Sequence, residues 1–232
     1  MRKLAWVQLL LLIAGTASIS FPALSTKSKE RDLIISQNQQ TNVSPAQRLY
    51  EFFRRRRRSG GTQGEFCSIS PSMNYRTTWS DRPLFVWQGT VTQIEVRLSD
   101  NQSALWTHTV TEEEQRQQQV LYAGSALKPG QIYSYFYTYQ TKDQRQTVTK
   151  TKSIPLEVLR SDSEKRRRIE AKLGELDNQK QNLSAEEYIL KRSEIFVEEN
   201  LWLDLIREVY SLQNPSPEWA KIRQEQRPTL CD

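Results

Sequence analysis

Hydrophobic and polar positions alternate with period two in short runs from Glu65 to Leu159, and with a helical period beyond Arg160. The period-two runs predict strands at Leu84 to Trp87, Gln93 to Leu98, Ala104 to Val110, Gln119 to Ala123, Ile132 to Tyr139, Gln146 to Lys152 and Ile154 to Val158. Asp100-Asn101, Pro129-Gly130 and Lys142-Asp143 supply turns between them. In the second run Ile94, Val96 and Leu98 share one face and Gln93, Glu95 and Arg97 the other, so one side meets a core and one meets water. About seven strands with no helix-length crossover predict an antiparallel two-sheet sandwich. Tyr133, Tyr135, Tyr137 and Tyr139 fall on one face of a strand. Tyr135 and Tyr137 are expected in the core, with Phe136 outward, where a helix or a partner could cover it.

Beyond Arg160, Ser161 with Glu164 and Ser184 with Glu187 have capping-box spacing and predict helix starts near Asp162 and Ala185. Ile169, Leu173 and Leu176 form a thin apolar stripe, while Trp202, Leu205, Ile206, Val209 and Leu212 form a stronger one. Asn200 is expected to divide the second segment, and Ser216 with Pro217 to start a last short helix. The predicted class is mostly β: an immunoglobulin-like antiparallel β-sandwich followed by about three α-helices.

The N-terminus changes the picture of where this domain works. Arg2 and Lys3, an apolar run from Leu4 to Ala14 and the small residues before Ala23-Leu24-Ser25 have the order of a secretory signal peptide. An uncleaved membrane anchor is the minor alternative. The expected organisation is 1–25 signal peptide, 26–64 disordered basic linker with room for one or two helical turns at Pro45 to Phe53, 65–159 sandwich and 160–232 helical region. The location expected is the periplasm or the cell exterior.

The chain carries a net charge of +6; losing residues 1–25 would leave +4, and Arg54, Arg55, Arg56, Arg57 and Arg58 carry five positive charges themselves. The basic character is therefore local, which argues against nucleic acid as partner. Five adjacent guanidinium groups would attract lipid head groups or acidic polysaccharide; a solvated tether is the plainer reading of the same run.

Export permits a disulfide, and Cys67 and Cys231 allow one intramolecular pairing; free thiols and an intermolecular bridge are the alternatives. His108 is the sole histidine, so an imidazole-based metal site is excluded. A Cys67–His108 hydrolase dyad is the least favoured function. Glu112-Glu113-Glu114 lacks the alternating ligands of a calcium loop and reads as a solvated turn. No cofactor fingerprint occurs, and no catalytic residue is assigned.

Leu127-Lys128-Pro129-Gly130-Gln131-Ile132-Tyr133 resembles the tyrosine corner of fibronectin type III and related sandwiches. The helices around Asn200 resemble one tetratricopeptide-type hairpin. The basic run with Gly60 to Gly64 and Cys67, the Arg82-Pro83-Leu84-Phe85 strand entry, the corner and Leu201-Trp202-Leu203-Asp204 together resemble an uncharacterised family of exported cyanobacterial proteins, domain of unknown function 928. That resemblance implies export and a sandwich-plus-helices plan, and no activity. The expected function is a protein-interaction or adaptor module for an envelope protein, with Phe136 and Trp202 as possible contact residues. The alternative is a glycan-binding module using Tyr139, Trp79 or Trp106.

Overall fold

The structure is a computed structural model that describes residues 43–55, 66–143 and 146–231. The expected signal peptide, most of the expected linker and Arg56 to Arg58 lie outside these residues. No described helix is long and apolar enough to cross a membrane.

Strands β1 (Cys67–Ser70), β3 (Leu84–Gln88) and β6 (Gln119–Leu121) form a three-stranded antiparallel sheet in the order β1-β3-β6. Strands β2 (Thr77–Thr78), β4 (Thr90–Leu98), β5 (Ala104–Thr109), β7 (Ile132–Asp143) and β8 (Gln146–Val158) form the second sheet, in the order β2-β8-β7-β4-β5. Only β2 runs parallel to its neighbour. The chain passes from β3 into β4, and so between sheets, through Gly89 at φ 105, a backbone conformation that a Cβ would strain.

The helices are α1 (Pro45–Arg55), α2 (Glu112–Gln117), α3 (Glu164–Asp177), α4 (Ala185–Glu198), α5 (Trp202–Ser211) and α6 (Pro217–Gln226). A 3-10 turn, Arg227–Leu230, follows α6.

Strand β3 explains the layering. Leu84, Phe85, Val86 and Trp87 are all buried, and their side chains alternate between two faces. Phe85 and Trp87 join Val91, Ile94, Val96, Tyr135, Tyr137, Ile154 and Leu156 in the core between the sheets. Leu84 and Val86 join Ile69, Phe196, Trp202, Leu205, Ile206 and Val209 in a second core under the helices. An apolar run of this kind is stable only with both faces covered, each buried side chain contributing about 1.5–3 kcal/mol. The described residues therefore form three layers: five-stranded sheet, three-stranded sheet, helices.

This corrects the expectation of a mostly-β chain with a helical tail. Among the described residues helix outweighs strand, and the helices form the layer that buries one face of a sheet. Within the expected linker, the one or two turns read at Pro45 to Phe53 are a helix of 11 residues, α1. Ser44 and Gln47 cap α1 reciprocally at 3.2 Å each, and Ala46, Leu49 and Phe53 are buried on one helical stripe. Phe53 meets Trp202 edge-on at 6.0 Å.

The Glu112 to Glu114 segment is helix rather than turn, because Thr111 and Glu114 complete a capping box at the start of α2. Ser163, not Ser161, caps α3. Ser184 caps α4 with Glu187, and Asn200, at φ 56, separates α4 from α5. Gln146 to Val158 is one continuous strand, since Ser153 stays in register opposite Phe136. The Tyr133 hydroxyl accepts a hydrogen bond from the Lys128 N–H at 2.8 Å, across the Pro129-Gly130 turn.

Two polar links and one covalent link join the layers and helices. Asp204, 1% exposed in the first turn of α5, accepts from Thr78 Oγ1 (2.8 Å), the Trp79 N–H (2.8 Å) and the Ser80 N–H (2.9 Å). Arg192 of α4 makes a two-pronged pair with Glu208 of α5 at 2.9 and 3.1 Å. Burial opposes the Arg192 charge, but the bonds and charge of Glu208 outweigh it and raise its pKa. Cys67 and Cys231 form a disulfide with Cα atoms 5.5 Å apart, which ties the end of the chain to β1.

Burial raises Asp204 to about 6, with the three donors and Arg207 pulling the other way. The folded state thus binds this proton more tightly than the unfolded state, so the contribution of Asp204 to stability is greatest in acid and falls as pH rises from about 4 to about 6. Urea unfolding of the wild type and of Asp204→Asn across pH 4–7 should show the difference between them changing by roughly 3 kcal/mol in that window and level above it.

Candidate functional site

A cleft of about 700 Å³ opens between the β6 side of the three-stranded sheet and α5–α6. Its lining is amide and guanidinium: Gln88, Gln117, Gln118 and Gln119 from the sheet side, Gln213 and Gln224 from the helical side, with Arg116, Arg223 and Arg227. Arg116 is paired with Glu113. Arg223 and Arg227 stand four residues apart, one helical turn, and so reach the same side.

Tyr210 organises the two. It is 2% exposed, its ring centroid lies 5.8 Å from the Arg223 guanidinium carbon and 5.4 Å from that of Arg227, and its hydroxyl donates to the Arg223 carbonyl at 3.2 Å. Arg223 Nη2 donates to the Leu212 carbonyl at 3.2 Å. Arg227 Nη1 donates to the Gln117 carbonyl at 3.0 Å and to Gln118 Oε1 at 2.8 Å. Gln118 is placed for this by its left-handed backbone, φ 53, at the end of α2.

Among the described residues every acceptor of these two guanidinium groups is neutral. Among the described residues neither forms an ion pair, and the Nε of each is buried without a partner. Burial lowers Arg223 to about 10; Tyr210 and Glu186 pull the other way, and repulsion from Arg227 adds the smallest contribution. Two half-buried positive charges, with no ion pair among the described residues, give this cleft the chemistry to hold an anion. The disulfide holds it together: Cys231 follows the turn that carries Arg227, and Cys67 lies opposite Gln88 in the β1–β3 register.

The residues expected to make contacts are distributed elsewhere. Arg54 is exposed near the end of α1 and pairs with Glu51 at 3.2 Å; Arg55 is the last residue of that helix. Trp202 is 6% exposed and packs on Phe53 and Tyr75, so it belongs to the core and offers no docking surface. Phe136 lies on the outer face of β7, half-buried, with the Arg97 guanidinium carbon 4.4 Å from its ring centroid.

The aromatics proposed for sugar stacking are likewise engaged. Tyr139 stacks on Phe66 at 4.1 Å, Trp106 lies between Phe85 and His108 at 5.8 and 5.1 Å, and Trp79 contacts Phe196 at 5.8 Å. Neither member of a Cys67–His108 dyad is available: the thiol is in the disulfide, and His108 Nε2 bonds Glu114 at 2.8 Å. Burial pushes Glu114 up, but bonds from Thr111 and His108 outweigh it and hold its carboxyl below the ordinary range. Among the described residues no three His, Cys, Asp or Glu side chains are placed to hold a metal ion.

No family model, curated protein or solved structure matches the chain.

The cleft went unnoticed in the sequence because four separate segments build it. Its one local signal is the run Arg116-Gln117-Gln118-Gln119 facing, across the fold, the Arg223-x-x-x-Arg227 spacing. A multivalent anion that binds the folded state raises its melting temperature. At constant ionic strength, about 10 mM citrate should raise the Tm of the wild type by about 2–4 °C and leave that of the Arg223→Gln/Arg227→Gln variant unmoved, as read by scanning calorimetry.

Proposed function

We propose that this chain is an exported, non-catalytic adaptor of the uncharacterised cyanobacterial family it resembles, and that it holds an envelope protein through an acidic group seated in the glutamine and arginine cleft. The observation that carries the reading is the pair Arg223 and Arg227, both facing neutral acceptors only. Half-buried guanidinium groups with no ion-pair partner among the described residues keep their charge for something outside the chain.

An immunoglobulin-like sandwich is the frame of this proposal. Eight strands divided three and five between two sheets, antiparallel apart from β2, and the Tyr133 corner bond support it. The helical layer then supplies the far wall of the cleft. The basic run Arg54 to Arg58 adds attraction to anionic lipid head groups or acidic polysaccharide, at about 1 kcal/mol per charge near such a surface. The sugar-stacking alternative ranks lower because Tyr139, Trp106 and Trp79 are each occupied by another ring.

A photo-crosslinking residue in place of Gln224, on the cleft wall, tests this in cells. The expected result is a discrete protein adduct that disappears in the Arg223→Gln/Arg227→Gln background. Adducts that form equally well in that background would contradict the role of the cleft.

A further inference from the structure

Strand β6 is the outermost strand of its sheet, so one of its edges has no partner strand. Its register with β3 pairs Leu84 with Leu121, Phe85 with Val120 and Val86 with Gln119. The Trp87 N–H donates to the Gln118 carbonyl at 3.1 Å, and the Tyr122 N–H to the Pro83 carbonyl at 3.0 Å. In an antiparallel ladder alternate residues turn their backbone groups toward the partner. Gln118, Val120 and Tyr122 therefore face β3, while the N–H and C=O of Gln119 and Leu121 face away from it.

The space beside that edge is shaped. A second hollow, of about 420 Å³, runs along Gln119, Val120 and Leu121, with Arg207, Ser211 and Gln213 on its far side. Gln117, Gln119 and Gln213 line both this hollow and the larger cleft, which makes one trough. Leu121 is 46% exposed in it, an apolar side chain open to a neighbour. Soluble proteins generally cover or charge a free sheet edge; here the edge is flanked by amides together with Arg207 and with Glu114, whose carboxylate is already bonded by Thr111 and His108.

We infer that β6 receives an extended acidic peptide as an added strand, with a carboxylate of that peptide held by Arg223 and Arg227. The inference rests on the cleft being the binding face and names the chemistry of what enters it. Gln119 and Leu121 supply main-chain hydrogen bonds at strand spacing, Leu121 supplies an apolar contact, and the two guanidinium groups select for acid. An acidic polysaccharide would satisfy the guanidinium groups but has no row of peptide groups to match the edge, so the peptide is the occupant the geometry favours.

The test uses the purified chain and a fluorescein-labelled eight-residue peptide of alternating Glu and Thr, read by fluorescence anisotropy. Three changes are each expected to weaken binding about tenfold or more: N-methylation of alternate peptide nitrogens, which removes strand pairing but keeps every charge; Arg223→Gln/Arg227→Gln; and Leu121→Pro. The Leu121 N–H lies outside the β3–β6 ladder, so that last variant should keep the wild-type unfolding midpoint. Reducing the disulfide should weaken binding too, because it frees the turn that carries Arg227. An N-methylated peptide that binds as well as its parent, or an oligogalacturonate that displaces the parent at equal affinity, overturns the inference. If the peptide fails while the Gln224 crosslink still forms, the strand-addition inference falls and the adaptor reading stands; if both fail, both fall.

Discussion

Everything in this fold follows from one strand that must be covered twice. Leu84-Phe85-Val86-Trp87 presents large apolar side chains to both faces of the three-stranded sheet, so a sandwich alone leaves Leu84 and Val86 in water. The helices remove that surface. Their strongest apolar stripe, on α5, lies against the strand that needs cover, and α1 closes the same core from the other end of the chain. The two sheets and the helices are thus halves of one packing problem, and the cleft exists because the two halves meet along a polar seam at β6.

Hydrophobic contact is non-directional and cannot by itself fix how the layers register. Directional bonds do that here. Asp204 binds the chain between β2 and β3 through two main-chain N–H groups and the Thr78 hydroxyl, which sets α5 against the sheet. Arg192 and Glu208 set α4 against α5. A buried ion pair adds little net stability but is costly to break, roughly 3–5 kcal/mol, so it specifies an arrangement more than it strengthens one. The disulfide closes a loop of 164 residues and holds Arg227, the last part of the cleft, beside the sheet.

Legibility in the sequence followed locality. Ile94, Val96 and Leu98, the tyrosine alternation and the capping pair Ser184 and Glu187 are local signals, and each gave its element near the observed bounds. Thr77–Thr78 and Cys67–Ser70 are too short and too polar to show a period. Helix α1 is legible only as one or two turns at Pro45 to Phe53, because its polar neighbours mask the cap and stripe of Ser44, Gln47, Leu49 and Phe53. Thr111 and Glu114 carried a capping box that the three adjacent glutamates disguised as a turn. Trp202 misled for the opposite reason: a large aromatic on a strong stripe signals burial or docking equally well, and only the position of α1 decides between them. The cleft needs residues near 88, 118, 213 and 225 brought together, which no periodicity encodes.

The central claim is that the two layers over β3 fold as one unit. Native-state hydrogen exchange across a denaturant series tests it most directly, comparing amides of β3, of β4 and of α5. The account predicts that all three merge into a single opening reaction with one free energy and one denaturant dependence. If the α5 amides open several kcal/mol below those of β4 while β3 stays protected, the pair of sheets stands without its helical layer, and the account is contradicted.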